Sequence, residues 1–222
     1  MKMKYRSVFD IIGPVMIGPS SSHTAGAARI GLVARQMFRR SPSRAVFHLY
    51  GSFAKTYRGH GTDAALLGGV LGFDTSDERI RTSRQEADKE GLQYEFIEED
   101  EVSLHPNTVM IELSEGEETM TLEGISIGGG KVDITKWNGF DLHLSGNHPA
   151  LLIVHEDRYG AVAAVADILA DAEVNIGQMQ VSRKEKGKEA LMVIEVDQNV
   201  SAGLIQKMEQ VPQCRQVTKI HE

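Results

Sequence analysis

The sequence predicts an α+β protein in two parts, on three observations from its 222 residues. Beyond Asn147-His148-Pro149, short apolar runs and helical periods alternate regularly. Before that point, glycine-punctuated segments switch between the helical period and the period of two that marks half-buried strands. The length suits one large or two modest domains, so domains over 1–147 and 148–222 are expected.

In the first part, "AGAARIGLVARQMFRR" reads as a helix with Ala27, Ile30, Ala34, Met37 and Phe38 on one face. "SRAVFHLYGS" reads as a strand, which places His48 inside a strand pattern as a structural side chain. "GHGTDAALLGGVLGF" reads as a glycine-framed loop running into a helix with Thr62 as N-cap. "YEFIEED", "NTVMIELS" and "EETMTLEGISIGGG" point to a small, mostly antiparallel sheet, with "SEGEE" as a hairpin turn. The acidic run Glu95 to Glu101 also reads as a solvated loop.

In the second part, "ALLIVH" is a short buried strand, and "EDRYG" is a polar loop closed by Gly160. The helix "AVAAVADILADA" follows, with Val162, Val165, Ala166 and Leu169 on one face. "EVNIGQMQVSRK" and "EALMVIEVD" are strands joined by a turn at Gly187. "SAGLIQKMEQV" is a helix capped by Ser201, and "CRQVTKIH" is the last strand. The order β-α-β-β-α-β is that of a ferredoxin-like sandwich.

Composition narrows the function classes. A net charge of −7 argues against a nucleic-acid partner. No apolar run reaches the roughly 18 residues of a membrane span, and the start "MKMKYRSVFDIIGPVMIG" reads as a mature cytoplasmic N-terminus rather than a leader. The single cysteine, Cys214, forbids an intrachain disulfide and cannot by itself supply the thiolates of an iron–sulfur cluster. No spacing resembles a zinc or calcium site.

Three polar loops carry the chemistry. "PSSSHT", Pro19 to Thr24, offers four hydroxyls and an imidazole ahead of a helix, where one cap would suffice. It is either a capping turn or a pocket that holds a small anion on amides and hydroxyls. "RGHGTD", Arg58 to Asp63, is either a flexible glycine turn or a device that exposes His60. "LHPNT", Leu104 to Thr108, is either a turn leading into a strand or a rigid base for His105 and Asn107.

"GPSSSHTAG", "LYGSFAKTYRGHGTD" and "LHPNT", in that order and ahead of the β-α-β-β-α-β tail, closely resemble the β subunit of iron–sulfur L-serine dehydratases. The resemblance covers essentially the whole chain. It implies an N-terminal α/β domain similar to the allosteric-substrate-binding domain of some phosphoglycerate dehydrogenases, followed by an ACT domain. It also implies a cytoplasmic lyase that converts L-serine to pyruvate and ammonia with a 4Fe-4S cluster instead of pyridoxal phosphate. The cluster and its cysteines are expected on a partner α subunit, with no metal held by this chain, which should be inactive alone.

On that resemblance, Ser20, Ser21, Ser22, His23 and Thr24 form one substrate-binding wall, joined by Thr62 and Asp63. His60, His105 and Asn107 form a catalytic wall, with the general base left open. In serine-binding ACT domains the matching ligand positions are His155, Asp157, Gly160 and Asn175. Asp157 and Tyr159 depart from the family's usual Asn and Pro there, so self-association through the ACT domain is the stronger expectation. A non-catalytic amino-acid sensor would use the same anion-binding loops; the two extra histidine loops favour an enzyme. Lys55 and Lys131 lack the setting of a Schiff-base lysine.

Overall fold

The computed structural model describes residues 15–146 and 148–220, so the expected N-terminal start and Asn147 lie outside the described residues. The chain divides into two compact units, Met1–Ile134 and Thr135–Glu222. No described helix is long and apolar enough to cross a membrane.

The first unit opens with a π-helical turn, Ser21–Ala25, that runs directly into α1, Gly26–Phe38. All five residues expected on the buried face of α1 are buried. β1, Arg44–Tyr50, is followed by α2, Gly51–His60, and α3, Thr62–Val70. A 3-10 turn, Glu78–Thr82, leads into α4, Ser83–Glu90, and then come β2, Gln93–Glu98, β3, Asn107–Glu115, and β4, Glu118–Gly128. β5, Lys131–Trp137, crosses the division between units, and β6, Phe140–Leu144, follows it. The strand order is β2-β1-β3-β4-β5-β6, with β1 and β2 parallel and β1–β3 and β3–β4 antiparallel.

The helical layer is fixed by backbone contact. α3 is buried on every side from Ala65 to Val70, so this nine-residue helix is held by packing rather than by propensity. A Cβ on Gly31 of α1 would strike the Leu66 carbonyl, and one on Gly69 of α3 would strike the Ala28 carbonyl. The two glycines let the helix backbones meet.

Three sequence expectations are corrected in this unit. Gly51 and Ser52, expected to end a strand, and Arg58 to His60, expected in a loop, belong to the helix α2, because Phe53, Ala54 and Tyr57 bury one face against the core. His60 therefore ends a helix instead of standing on a loop, and Gly61, left-handed at φ 70°, separates α2 from α3. Thr62 is not an N-cap; its side chain is fully buried and its hydroxyl has no partner. In the acidic run, Glu95 to Glu98 belong to the edge strand β2, where charge protects an open strand edge.

The second unit holds β7, Ala150–Glu156, α5, Ala161–Asp171, β8, Ile176–Arg183, β9, Glu189–Val196, α6, Ala202–Glu209, and β10, Cys214–Ile220. The antiparallel order β10-β7-β9-β8 is the ferredoxin-like arrangement. Its core joins Leu151, Ile153, Met192 and Ile194 to Val165 and Leu169 of α5 and Leu204 and Met208 of α6. Ser201 caps α6 by accepting from the Leu204 amide at 3.3 Å. Val165 and Leu169 are buried as expected, whereas Val162 is 40% exposed and Ala161 takes the inward place at the start of α5.

Gly69→Ala should destabilise the chain by about 3 kcal/mol, the upper range for overpacking, because the obstacle is backbone and cannot rotate away. Urea unfolding by circular dichroism checks this.

Candidate active site

The hydroxyl-rich stretch folds as its own one-turn helix. Ser20 supplies the cap: its Oγ accepts from the His23 amide at 3.2 Å. The Gly26 amide donates to the Ser21 carbonyl across the wide turn, a distortion common at functional sites. Because Ser20 alone does the capping, the remaining hydroxyls and the imidazole are left for other partners. Thr24 is the exception, since it is buried and donates to the His60 carbonyl at 3.3 Å.

His23 sits at the centre. Its Nε2 lies 3.0 Å from Ser52 Oγ, and its Nδ1 lies 3.1 Å from Ser22 Oγ and 3.4 Å from Ser20 Oγ. Its ring centroid is 4.9 Å from that of His60, and Phe53 approaches edge-on at 5.4 Å. Burial first, and then the neighbouring His60, hold the His23 imidazole below its ordinary value. The ring is therefore a neutral hydrogen-bond bridge, not a fixed cation.

The third loop joins through Ser52 and Ser126. The Ser52 and Phe53 amides donate to the Pro106 carbonyl at 2.6 and 3.3 Å. Gly51 makes this approach possible: it is left-handed at φ 55°, and a Cβ there would lie 2.8 Å from that carbonyl. Ser126 of β4 donates from its hydroxyl to the Ser22 carbonyl at 2.8 Å, and its own carbonyl accepts from Asn107 Nδ2 at 3.4 Å. His105 Nδ1 accepts the Asn107 amide at 3.2 Å, which puts the proton of a neutral ring on Nε2.

The structure thus gathers Ser20, Ser22, His23 and His60 in one cluster and ties the segment His105–Asn107 to it. Asp63 is spent on an ion pair: its carboxylate accepts from Arg84 Nη2 at 2.7 Å. Thr62 and Asp63 are both buried and open α3. Ser52 and Ser126 were missed from sequence. Ser52 stands inside a quoted motif and could have been found there; nothing marks Ser126 until β4 is laid beside the π-helical turn. His48 is structural, with Nδ1 2.7 Å from Glu99 and Nε2 3.5 Å from Glu112.

In the second unit the four expected ligand positions are largely occupied by the fold. The Asp157 carboxylate accepts from the Gly187 amide at 2.7 Å and Arg183 Nη1 at 3.0 Å. These donors hold it below the usual carboxylate range, the Gly187 amide first. Asn175 Nδ2 donates to Asp197 at 2.6 Å. His155 is buried; its Nδ1 donates to the Glu156 carbonyl at 2.7 Å and its Nε2 has no partner. Gly160 precedes α5 at φ 90°.

An iron–sulfur cluster does not fit this chain. The lone Cys214 lies in β10 with its thiol pushed up by burial, and no group of three metal-ligating side chains exists among the described residues.

With the geometry established, sequence relatives decide the family. The serine dehydratase β chain family model matches residues 7–93, and the ACT domain model matches residues 150–213. The chain is 59% identical to the probable L-serine dehydratase β chain of Bacillus subtilis, covering 98% of this chain and 99% of that one. The chain belongs to the L-serine dehydratase β-chain family. The β chain of Peptoniphilus asaccharolyticus is 38% identical over 89% of this chain and 90% of its own length. A D-3-phosphoglycerate dehydrogenase of Bacillus subtilis is 25% identical over 84% of this chain but only 35% of its own.

His23 also predicts a pH response. Its folded value is depressed, so the unfolded chain takes up the proton first. Its contribution to stability should be complete above the ordinary value of 6.5 and decline as pH falls towards the folded value. His23→Gln should show a shallower loss of stability over that window, measured by urea midpoints at successive pH values.

Proposed function

We propose that this chain, a β chain of an L-serine dehydratase, supplies one wall of an active site that a separate α subunit completes. The reaction is the lyase step that converts L-serine to pyruvate and ammonia in cytoplasmic amino-acid degradation, the pyruvate then being available to gluconeogenesis. The 4Fe-4S cluster of the family is assigned to the α subunit, since this chain lacks the thiolates to hold it. Pyridoxal phosphate takes no part.

The observation that carries this reading is the meeting of His23 and His60 beside the Ser20–Ser22 hydroxyls, at 4.9 Å between ring centroids. Loss of water from serine needs a proton taken from Cα and hydroxide expelled from Cβ. The carboxylate must be held while this happens, and Ser21, beside the set that Ser20 and Ser22 form with His23, borders the place that suits it. His60 is exposed, and His105 is half-buried with its Nε2 outward of the bond to Asn107. These two imidazoles are placed to hold or move a proton, with Asn107 orienting His105. A sensor that only holds a carboxylate has no use for them.

The functional boundary is proposed at 147/148, with the C-terminal ACT domain as the self-association module. His155, Asp157, Gly160 and Asn175 remain its ligand positions by resemblance. With Asp157 and Asn175 already hydrogen-bonded, L-serine should bind there weakly if at all.

Anaerobic reconstitution with the α chain, assayed for pyruvate, tests the reading. The 222-residue chain alone should show no turnover. In the pair, His60→Ala or His105→Ala should lower kcat by about a hundredfold or more, the usual worth of a general acid or base. Unchanged turnover in both variants would reject the shared site. Sedimentation of the purified chain should give a dimer, and Val181→Asp on the edge strand β8 should weaken it.

A further inference from the structure

We propose that Ser52 is a substrate-contacting residue, the terminal donor of a hydrogen-bonded wire Ser20–Ser22–His23–Ser52 that presents one proton to the carboxylate of the bound amino acid. This deepens the reading of the site given above and rests on it.

The argument is a count of protons. A neutral imidazole carries one N–H, each serine one O–H, and the His23 backbone one further N–H. The links of the wire are His23 N to Ser20 Oγ at 3.2 Å, Ser20 Oγ to Ser22 Oγ at 3.3 Å, Ser22 Oγ to His23 Nδ1 at 3.1 Å, and His23 Nε2 to Ser52 Oγ at 3.0 Å. The donors exceed the links by one. Some hydroxyl must therefore send its proton outside the wire.

The backbone favours one end. The His23 amide can only donate, so Ser20 Oγ accepts there and its proton must go elsewhere. Its neighbours are Ser22 Oγ and, at 3.4 Å, His23 Nδ1, and both lie further along the wire. Ser22 then donates to Nδ1, the ring carries its proton on Nε2, and Nε2–H donates to Ser52. With the ring proton on Nε2 the Ser52 proton is left over, and no other hydrogen bond engages that hydroxyl among the described residues. Each bond polarises the next, so the last hydroxyl is a stronger donor than an isolated serine.

The surroundings hold this end still. The Ser52 amide is tied to Pro106 and its carbonyl accepts from Thr56 Oγ1 at 2.7 Å, so only the hydroxyl is free to respond to a ligand. The side chain is partly exposed. Burial and His60 keep the ring neutral; a protonated ring would donate from both nitrogens and reverse the Ser22 hydroxyl. A surplus donor with no intramolecular acceptor calls for an acceptor from outside, and a carboxylate is the acceptor that the substrate class offers.

Two measurements test the proposal. In the reconstituted α–β pair, Ser52→Ala should raise KM for L-serine roughly tenfold or more, the range for a lost hydrogen bond to a charged group, and Ser52→Thr should recover most of that loss. An unchanged KM in Ser52→Ala overturns it. In the chain alone, nitrogen-15 spectra of the imidazole should show His23 as the Nε2–H tautomer. L-serine or acetate at saturation should move its Nε2 resonance in the wild type but not in Ser52→Ala. A wild-type Nδ1–H tautomer, or a wild-type resonance that no carboxylate moves, also overturns it. If the pair fails to deaminate serine at all, the shared-site reading falls, while the spectra still decide the wire.

Discussion

The carbonyl of Pro106 receives two first-turn amides of a helix, at 2.6 Å from Ser52 and 3.3 Å from Phe53, and the geometry of the site depends on it. Those amides start α2 and have no partner within the helix, so the third loop supplies the acceptor they require. The cost is a backbone approach that only Gly51 tolerates. In return, two segments more than fifty residues apart in sequence are held in one register. His23 then reaches the start of α2 through Ser52, and His60 stands at the other end of that helix. Helix capping, normally a matter of stability, here sets the spacing between functional side chains.

A second constraint is the balance between burial and hydrogen bonding at His23. Taking an imidazole partly out of water disfavours its cation, and the adjacent His60 acts in the same direction. Both ring nitrogens are nevertheless satisfied, because serine hydroxyls can accept or donate as needed. Carboxylates in those places would have raised the imidazole's proton affinity and competed with an anionic substrate. Hydroxyls avoid both effects, which is why so many of them stand in one short stretch.

In the ACT domain the same chemistry is directed inward. Asp157 gathers the β8–β9 turn through Gly187 and Arg183, and Asn175 is bonded to Asp197. Groups that hold a ligand in some ACT domains here hold loops of their own chain. A structural use of this kind is compatible with the association role proposed for this module.

Much of the fold was legible in residues alone. The β-α-β-β-α-β tail follows from apolar periods that change from two to 3.6 and back, with Ser201 and Gly187 marking a helix start and a turn. The buried face of α1 follows from spacing in the same way. Asn138-Gly139, both at positive φ between β5 and β6, is a strong hairpin signal that was present and not read. α2 was illegible, because three glycines and few apolar residues make "GSFAKTYRGHG" look like a loop, and only packing of Phe53 and Tyr57 makes it a helix. For the candidate site, the residue types alone singled out the candidate side chains: the serines, His23, His60, His105 and Asn107. Tertiary structure decided which of them meet, sent Asp63 to Arg84, and brought in Ser52 and Ser126. The physical reason is that hydrogen-bond partnership depends on distances of about 3 Å, which side-chain type and local periodicity cannot specify across a chain folded back on itself.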